Sequence, residues 1–170
     1  LAIVSRQEEF SPRQNNEDWL GHGVYFWEYA PQQAWAWARQ RYPGEEIAVV
    51  ASMIRLGNCL DLVDPDNARD LVTLYQRFMK DMVDAERPAP RNFNAKKYLD
   101  CAVMEYAYDI YESERTEVVD SSRAVYVPSG MKKHSRLWKS SWLCHDTHVQ
   151  LCIRNQACIL GTWLVRPRGD

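Results

Sequence analysis

The sequence predicts an α+β domain, and three observations carry that prediction. Two runs of β-branched and aromatic residues open the chain, two amphipathic helical stripes fill its middle, and three more strand-like runs close it. The strands that must pair therefore lie far apart, so the sheet is expected to form by largely non-sequential pairing. With 170 residues, one domain spanning 1–170 has a sizeable core, whereas two would each be small.

Residues 1–9 form a short apolar-polar segment, expected to be the end of a helix. SPRQNNED is a loop of turn formers. GVYFW (23–27) predicts a strand, since aromatic and β-branched residues follow a glycine. Pro31 suits the first position of the helix PQQAWAWARQR, where a missing N–H costs nothing, and Tyr42-Pro43-Gly44 ends it. EIAVVASMIRL (46–56) is the clearest strand, followed by a Gly-Asn turn and an extended LDLV.

Asp64 and Pro65 open the next helix as N-cap and first residue. Leu71, Leu74, Tyr75, Phe78, Met79 and Met82 give it one apolar stripe. ERPAPRNFN is a loop, and Leu99, Ala102, Val103, Tyr106 and Ile110 mark a second amphipathic helix. RAVYV (123–127), HVQLCIR (148–154) and CILGTWLV (158–165) are the closing strands.

Composition excludes several classes. With 46% hydrophobic and 26% charged residues the chain is not a disordered one. A formal charge of −2 gives no overall basic field to draw it to nucleic acid or anionic membrane. A local basic groove of Arg39, Arg41, Arg123, Lys132 and Lys133 stays open as a nucleic-acid surface. No run approaches the ~18 apolar residues of a membrane span, and LAIVSRQEEF lacks a signal-peptide layout. No membrane partner is expected. Five scattered cysteines, an odd number, read as reduced thiols in a cytosolic protein.

Cys144, His148, Cys152 and Cys158 invite a zinc reading, which geometry opposes. Four residues of strand separate His148 from Cys152 by roughly 13 Å. One tetrahedral zinc, with ligands at about 2.0–2.3 Å, cannot take both. No metal is expected. Alternation puts Val149, Leu151 and Ile153 on one face and His148, Gln150, Cys152 and Arg154 on the other. That second face reads either as half-solvated or as the lining of a cleft. No Ser-His-Asp set can be singled out, and GHG lacks the rest of a phosphate-binding loop.

WLGHGVYFWEYAPQQAWAWAR (19–39) holds four of the seven tryptophans, so it is where a flat ligand would be sought. Two readings stand: aromatic core filling, with either Trp35 and Ala38 or Trp37 turned inward, or one wall of a ligand site. Gly21 and Gly23 around His22 favour the second, because strand glycines often mark a bulge or a place where a ligand approaches backbone.

GHGVYFWEYAPQQAWAW resembles the second motif of the diphtheria-toxin and poly(ADP-ribose) polymerase class of ADP-ribosyltransferases. The fuller DWLGHGVYFWE is similar to a bacterial group of that class. The resemblance covers residues 19–57 and about 120–165, and implies a split β-sheet core with a helical insertion at about 65–112. It implies NAD as the substrate, with Gly23, Tyr25, Ala34 and Trp37 around the nicotinamide and Tyr25 as its essential stacking ring. The class places its second aromatic at the position of Ala36, so Trp35 or Trp37 would substitute, Trp37 being preferred.

HVQLCIRNQACILGTW resembles the class's third motif, with Gln150 where the catalytic glutamate stands. The first motif, a strand ending in His-Gly-Thr, is absent. The class places it before a helix and a polar loop, and the chain opens at Leu1 rather than a methionine, so that strand is expected upstream.

These likenesses imply a mono-ADP-ribosyltransferase of the cytoplasm, a bacterial toxin or phage-defence effector with Tyr25 and Gln150 as catalytic residues. Its partners would be NAD, a protein or nucleic-acid acceptor, and an antitoxin-type neutralising protein. Glutamine keeps a hydrogen bond to ribose but loses charge and basicity, which favours single transfer over chain elongation. The alternatives are an NAD glycohydrolase and a catalytically inactive interaction domain of the same fold.

Overall fold

Strand β1 (Val24–Glu28) begins where Gly23 lets the chain lie almost on top of a neighbour. A Cβ at Gly23 would sit 2.6 Å from Cys152 Sγ and 2.7 Å from the Ile153 carbonyl oxygen. The computed structural model describes residues 2–5, 8–94, 96–127, 136–141 and 143–166. Helix α1 (Pro31–Arg41) follows with proline in its first turn, and it buries Trp35 and Ala38. β2 (Val49–Ile54) is shorter than its apolar run, since its pairing with β6 spans only Val49↔Val165 to Ile54↔Ile159.

After β3 (Cys59–Asp61) the two long helices come together. The Asp64 carboxylate caps α2 (Pro65–Asp84), accepting from Asp66 N at 2.8 Å. The α3 helix (Tyr98–Arg115) ends at Thr116, in the left-handed region at φ 56°. β4 (Ser121–Tyr126), β5 (His148–Ile153) and β6 (Ile159–Val165) complete the elements, with a 3-10 turn at Gln156–Cys158. Residues 2–5 form a turn and not the end of a helix; Ser5 Oγ donates to the Ala2 carbonyl there. Such a short segment gains too few hydrogen bonds to offset helix nucleation.

Two sheets result. One has the order β1-β5-β4-β3, antiparallel except for the parallel β3–β4 pair, and the other is the antiparallel pair β2–β6. The fold is therefore α+β, with helices in the middle of the chain and strands paired out of sequence order.

Directly opposed residues share a face. On β5 the predicted alternation holds. Tyr25 opposes Cys152, Trp27 opposes Gln150, and Tyr126 opposes His148, so all six side chains share one face. The end of that face holding Cys152 is covered by α2 and α3, through a core of Leu20, Leu74, Met104, Ala107, Tyr108 and Tyr111. Val24, Leu151 and Ile153 lie on the other face, where Cys158 joins their cluster with Phe10, Ile54 and Ile159 against it. Both faces of β5 are thus buried at its C-terminal end, and only the His148–Gln150 end of the first face stays open.

Candidate functional site

A cleft of about 620 Å³ opens over that uncovered end. This lies within the roughly 300–1,000 Å³ of small-molecule sites. Its floor is β1 and β5, its walls α1 and the loop before β1, and Tyr126 of β4 closes one side. The structure brings Tyr25, Trp37 and Gln150 together here. Gly23 and Ala34 are not among the lining residues.

The expected close approach to Gly23 takes place within the protein itself. The space a side chain would fill is occupied by Cys152 and the backbone of Ile153, so β5 packing requires this glycine. Gly21, at φ +80°, is filled in the same way by the Glu105 carboxylate and the Tyr108 ring. The aromatic stretch serves both readings of it. Trp35 is 6% exposed and belongs to the core, while Trp37, 39% exposed, faces the cleft.

Tyr25 is held at its far end. Its hydroxyl donates to the Gly21 carbonyl at 2.8 Å and accepts from Leu20 N at 3.0 Å. Burial pushes its phenol far above the ordinary range, so it carries no negative charge. Tyr108 secures the same loop, donating to the Leu20 carbonyl at 2.8 Å. What Tyr25 offers the cleft is its ring.

Gln150 sits in a chain of hydrogen bonds that the sequence did not foretell. Trp19 Nε1 donates to Gln150 Oε1 at 2.7 Å. Gln150 Nε2 lies 2.9 Å from His148 Nε2. An amide nitrogen only donates, so the imidazole Nε2 accepts. His148 Nδ1 then carries the proton and donates to the Asp146 carbonyl at 2.6 Å. The indole settles which way round the amide lies, because it has no acceptor.

Two groups of rings flank these polar atoms. Trp27 and Trp37 lie 5.8 Å apart between centroids, with Tyr42 6.0 Å beyond Trp37. On the other side Trp19 packs 5.4 Å from Tyr126, which lies 5.2 Å from His148. Trp27 was within reach of sequence reasoning, being two residues from Tyr25 and so on the same strand face. Trp19 was not, since it lies in a loop with no periodicity to place it.

Charge in the cleft is mixed. Arg13 bridges backbone to backbone with Gly23 and sets its guanidinium 3.1 Å from Asp18 Oδ2. That contact lacks hydrogen-bond geometry, and the buried oxygen has no donor among the described residues. Burial accordingly pushes the Asp18 carboxyl up, against the pull of Arg13. Lys97 also lines the cleft, and Gln33 of α1 donates to Asp146 Oδ1 at 3.2 Å, tying α1 to the loop before β5.

Arg123 is committed on the opposite sheet face, paired with Glu28 and Asp61 at 2.7 and 3.0 Å. Arg39 and Arg41 lie over the rings of Trp35 and Tyr42, while Lys132 and Lys133 lie outside the described residues. The basic groove expected from these five residues therefore loses Arg123, whose guanidinium is already neutralised.

The four candidate zinc ligands are dispersed, with His148 in the cleft and Cys152 and Cys158 in separate core clusters. Among the described residues no group of three or more His, Cys, Asp or Glu is placed to hold a metal. All five cysteines are free thiols. Burial raises Cys101 to about 11 and Cys152 to about 12, which removes both as nucleophiles near neutral pH. No described helix is long and apolar enough to cross a membrane. Comparison with family models, curated proteins and solved structures finds no match.

Proposed function

We propose that the chain is a mono-ADP-ribosyltransferase of the diphtheria-toxin and poly(ADP-ribose) polymerase type, using this cleft to hold NAD. One observation carries the reading. The residues that the motif resemblance singles out for stacking and for ribose contact, Tyr25, Trp37 and Gln150, line one cleft although they come from three elements. The split between the sheets β1-β5-β4-β3 and β2–β6 is also in keeping with it.

In this reading the nicotinamide lies against Tyr25 and the Trp27–Trp37 rings. A cationic ring over aromatic faces gains about 0.5–2 kcal/mol. The bond from ribose to nicotinamide breaks, its electron pair neutralises the ring nitrogen, and an acceptor atom bonds to the ribose carbon from the opposite side as its proton passes to a base of the acceptor or to solvent. Lys97 supplies positive charge for the pyrophosphate, while Arg13 is shared with Asp18.

Incubating the full chain with labelled NAD and candidate acceptors tests the proposal. Label carried onto a macromolecule supports transfer. Free ADP-ribose alone would make the chain an NAD glycohydrolase, and unchanged, unbound NAD would leave an interaction domain. Tyr25→Ala should lower turnover at least tenfold, and full activity in that variant would remove the site assignment.

A further inference from the structure

The residue at position 150 has partners with opposite demands. Trp19 Nε1, 2.7 Å from Oε1, can only donate, so this side of the group must accept. His148 Nε2, 2.9 Å from Nε2, has its other nitrogen committed as a donor to the Asp146 carbonyl. That side of the group must therefore donate. Among groups in their ordinary ionisation state near neutral pH, the amide meets both demands with a neutral imidazole. A carboxylate would satisfy the indole but face the imidazole lone pair.

An amide nitrogen carries two hydrogens, and His148 takes one. Among the described residues the second has no partner, and Gln150 lines the cleft. The surroundings hold this donor still. Tyr126 packs on the His148 ring and on Trp19, and Gln33 fastens the Asp146 side chain next to the carbonyl that receives the imidazole proton.

We propose that Gln150 is a built hydrogen-bond donor of the cleft, positioned by Trp19 and His148, and not a carboxylate site that has lost its charge. The ligand atom it selects is an acceptor oxygen. Naming that oxygen as a ribose hydroxyl of NAD rests on the functional reading above. The carboxylates that line the cleft are each engaged: Lys96 and Tyr98 occupy Glu17, Gln33 donates to Asp146, and Arg13 lies against Asp18. The amide accordingly holds and orients, while deprotonation is left to the acceptor or its surroundings.

Two measurements on the full chain test this. Nitrogen-15 NMR of the histidine rings should find neutral His148 protonated on Nδ1. In Gln150→Glu the His148 Nε2 nitrogen should carry a proton, because the carboxylate now demands a donor there. Calorimetry with NAD should find binding weakened about tenfold in Gln150→Glu and in Trp19→Phe, the loss expected for one hydrogen bond. Trp19→Phe serves as the second variant should the glutamate chain fold poorly.

A His148 protonated on Nε2 in the parent overturns the proposal, as does a Gln150→Glu variant that binds NAD as well as the parent or better. A parent that keeps the Nδ1 proton but binds no NAD sinks the ADP-ribosyltransferase reading alone, and the amide assignment then stands on the imidazole.

Discussion

Tyr25 does two jobs with opposite ends of one side chain, and two substitutions separate them. Its hydroxyl pins Leu20 and Gly21, while its ring lines the cleft. Tyr25→Phe keeps the ring and strands a backbone donor and acceptor. It should cost about 1–3 kcal/mol of stability by denaturant unfolding while NAD binding stays within a few fold. Tyr25→Ala should lose both. At this scale the sequence points to Tyr25, Trp37 and Gln150, and the structure brings the three to one cleft. The sequence was unreadable where a role comes from a long-range partner. The bond from Trp19 to Gln150 joins residues at opposite ends of the chain, and no local pattern encodes it. Gly23 shows the converse: its place before a strand suggests a ligand close to backbone, but strand β5 is what approaches.

Among the elements, the β1–β5 pair holds the cleft together. It sets Trp27 opposite Gln150 and Tyr25 opposite Cys152, so register fixes the floor. Gly23→Ala would drive a methyl into Cys152 Sγ and the Ile153 carbonyl. Sulfur can yield, but backbone in a central strand cannot, so destabilisation of about 1–3 kcal/mol is expected. Cys152→Ala in the same chain should recover only part of it, as read from the shift in denaturant midpoint. Strands and helices were legible because hydrophobic period and caps are local: α2 begins at the predicted Asp64-Pro65. Their lengths were less so. β2 loses both ends of its apolar run because a partner strand, and not hydrophobicity, decides where pairing stops.

At the scale of the whole molecule, ion pairs and hydrogen bonds outside the cleft give the fold its acid sensitivity. Arg115 beside Asp70, Arg77 beside Glu114 and Asn155 beside Asp120 hold these carboxyls below their ordinary values of 3.8, 4.5 and 3.8. The folded state then binds fewer protons than the unfolded one, and stability rises with pH in that window. Their contribution is fully present above those ordinary values and is lost as pH falls through the depressed ones. Asp18, raised by burial, works the other way just above 3.8. With four lowered carboxyls, counting Glu17 beside Lys96, against one raised, unfolding midpoints should fall on acidification below about pH 4, and Asp70→Asn should flatten part of that fall.

The α+β class was readable from the order of elements, because strands separated by a helical middle admit few other arrangements. The division into two sheets follows instead from pairings made across the chain, such as β2 with β6. We propose that this cleft holds NAD with its nicotinamide against Tyr25. A crystal structure of the full chain with a non-hydrolysable NAD analogue tests it most directly. The nicotinamide should lie within about 4 Å of the Tyr25 ring, with a ribose oxygen about 3 Å from Gln150 Nε2. An analogue bound elsewhere, or a cleft that stays free of it at saturating concentration, would contradict the account.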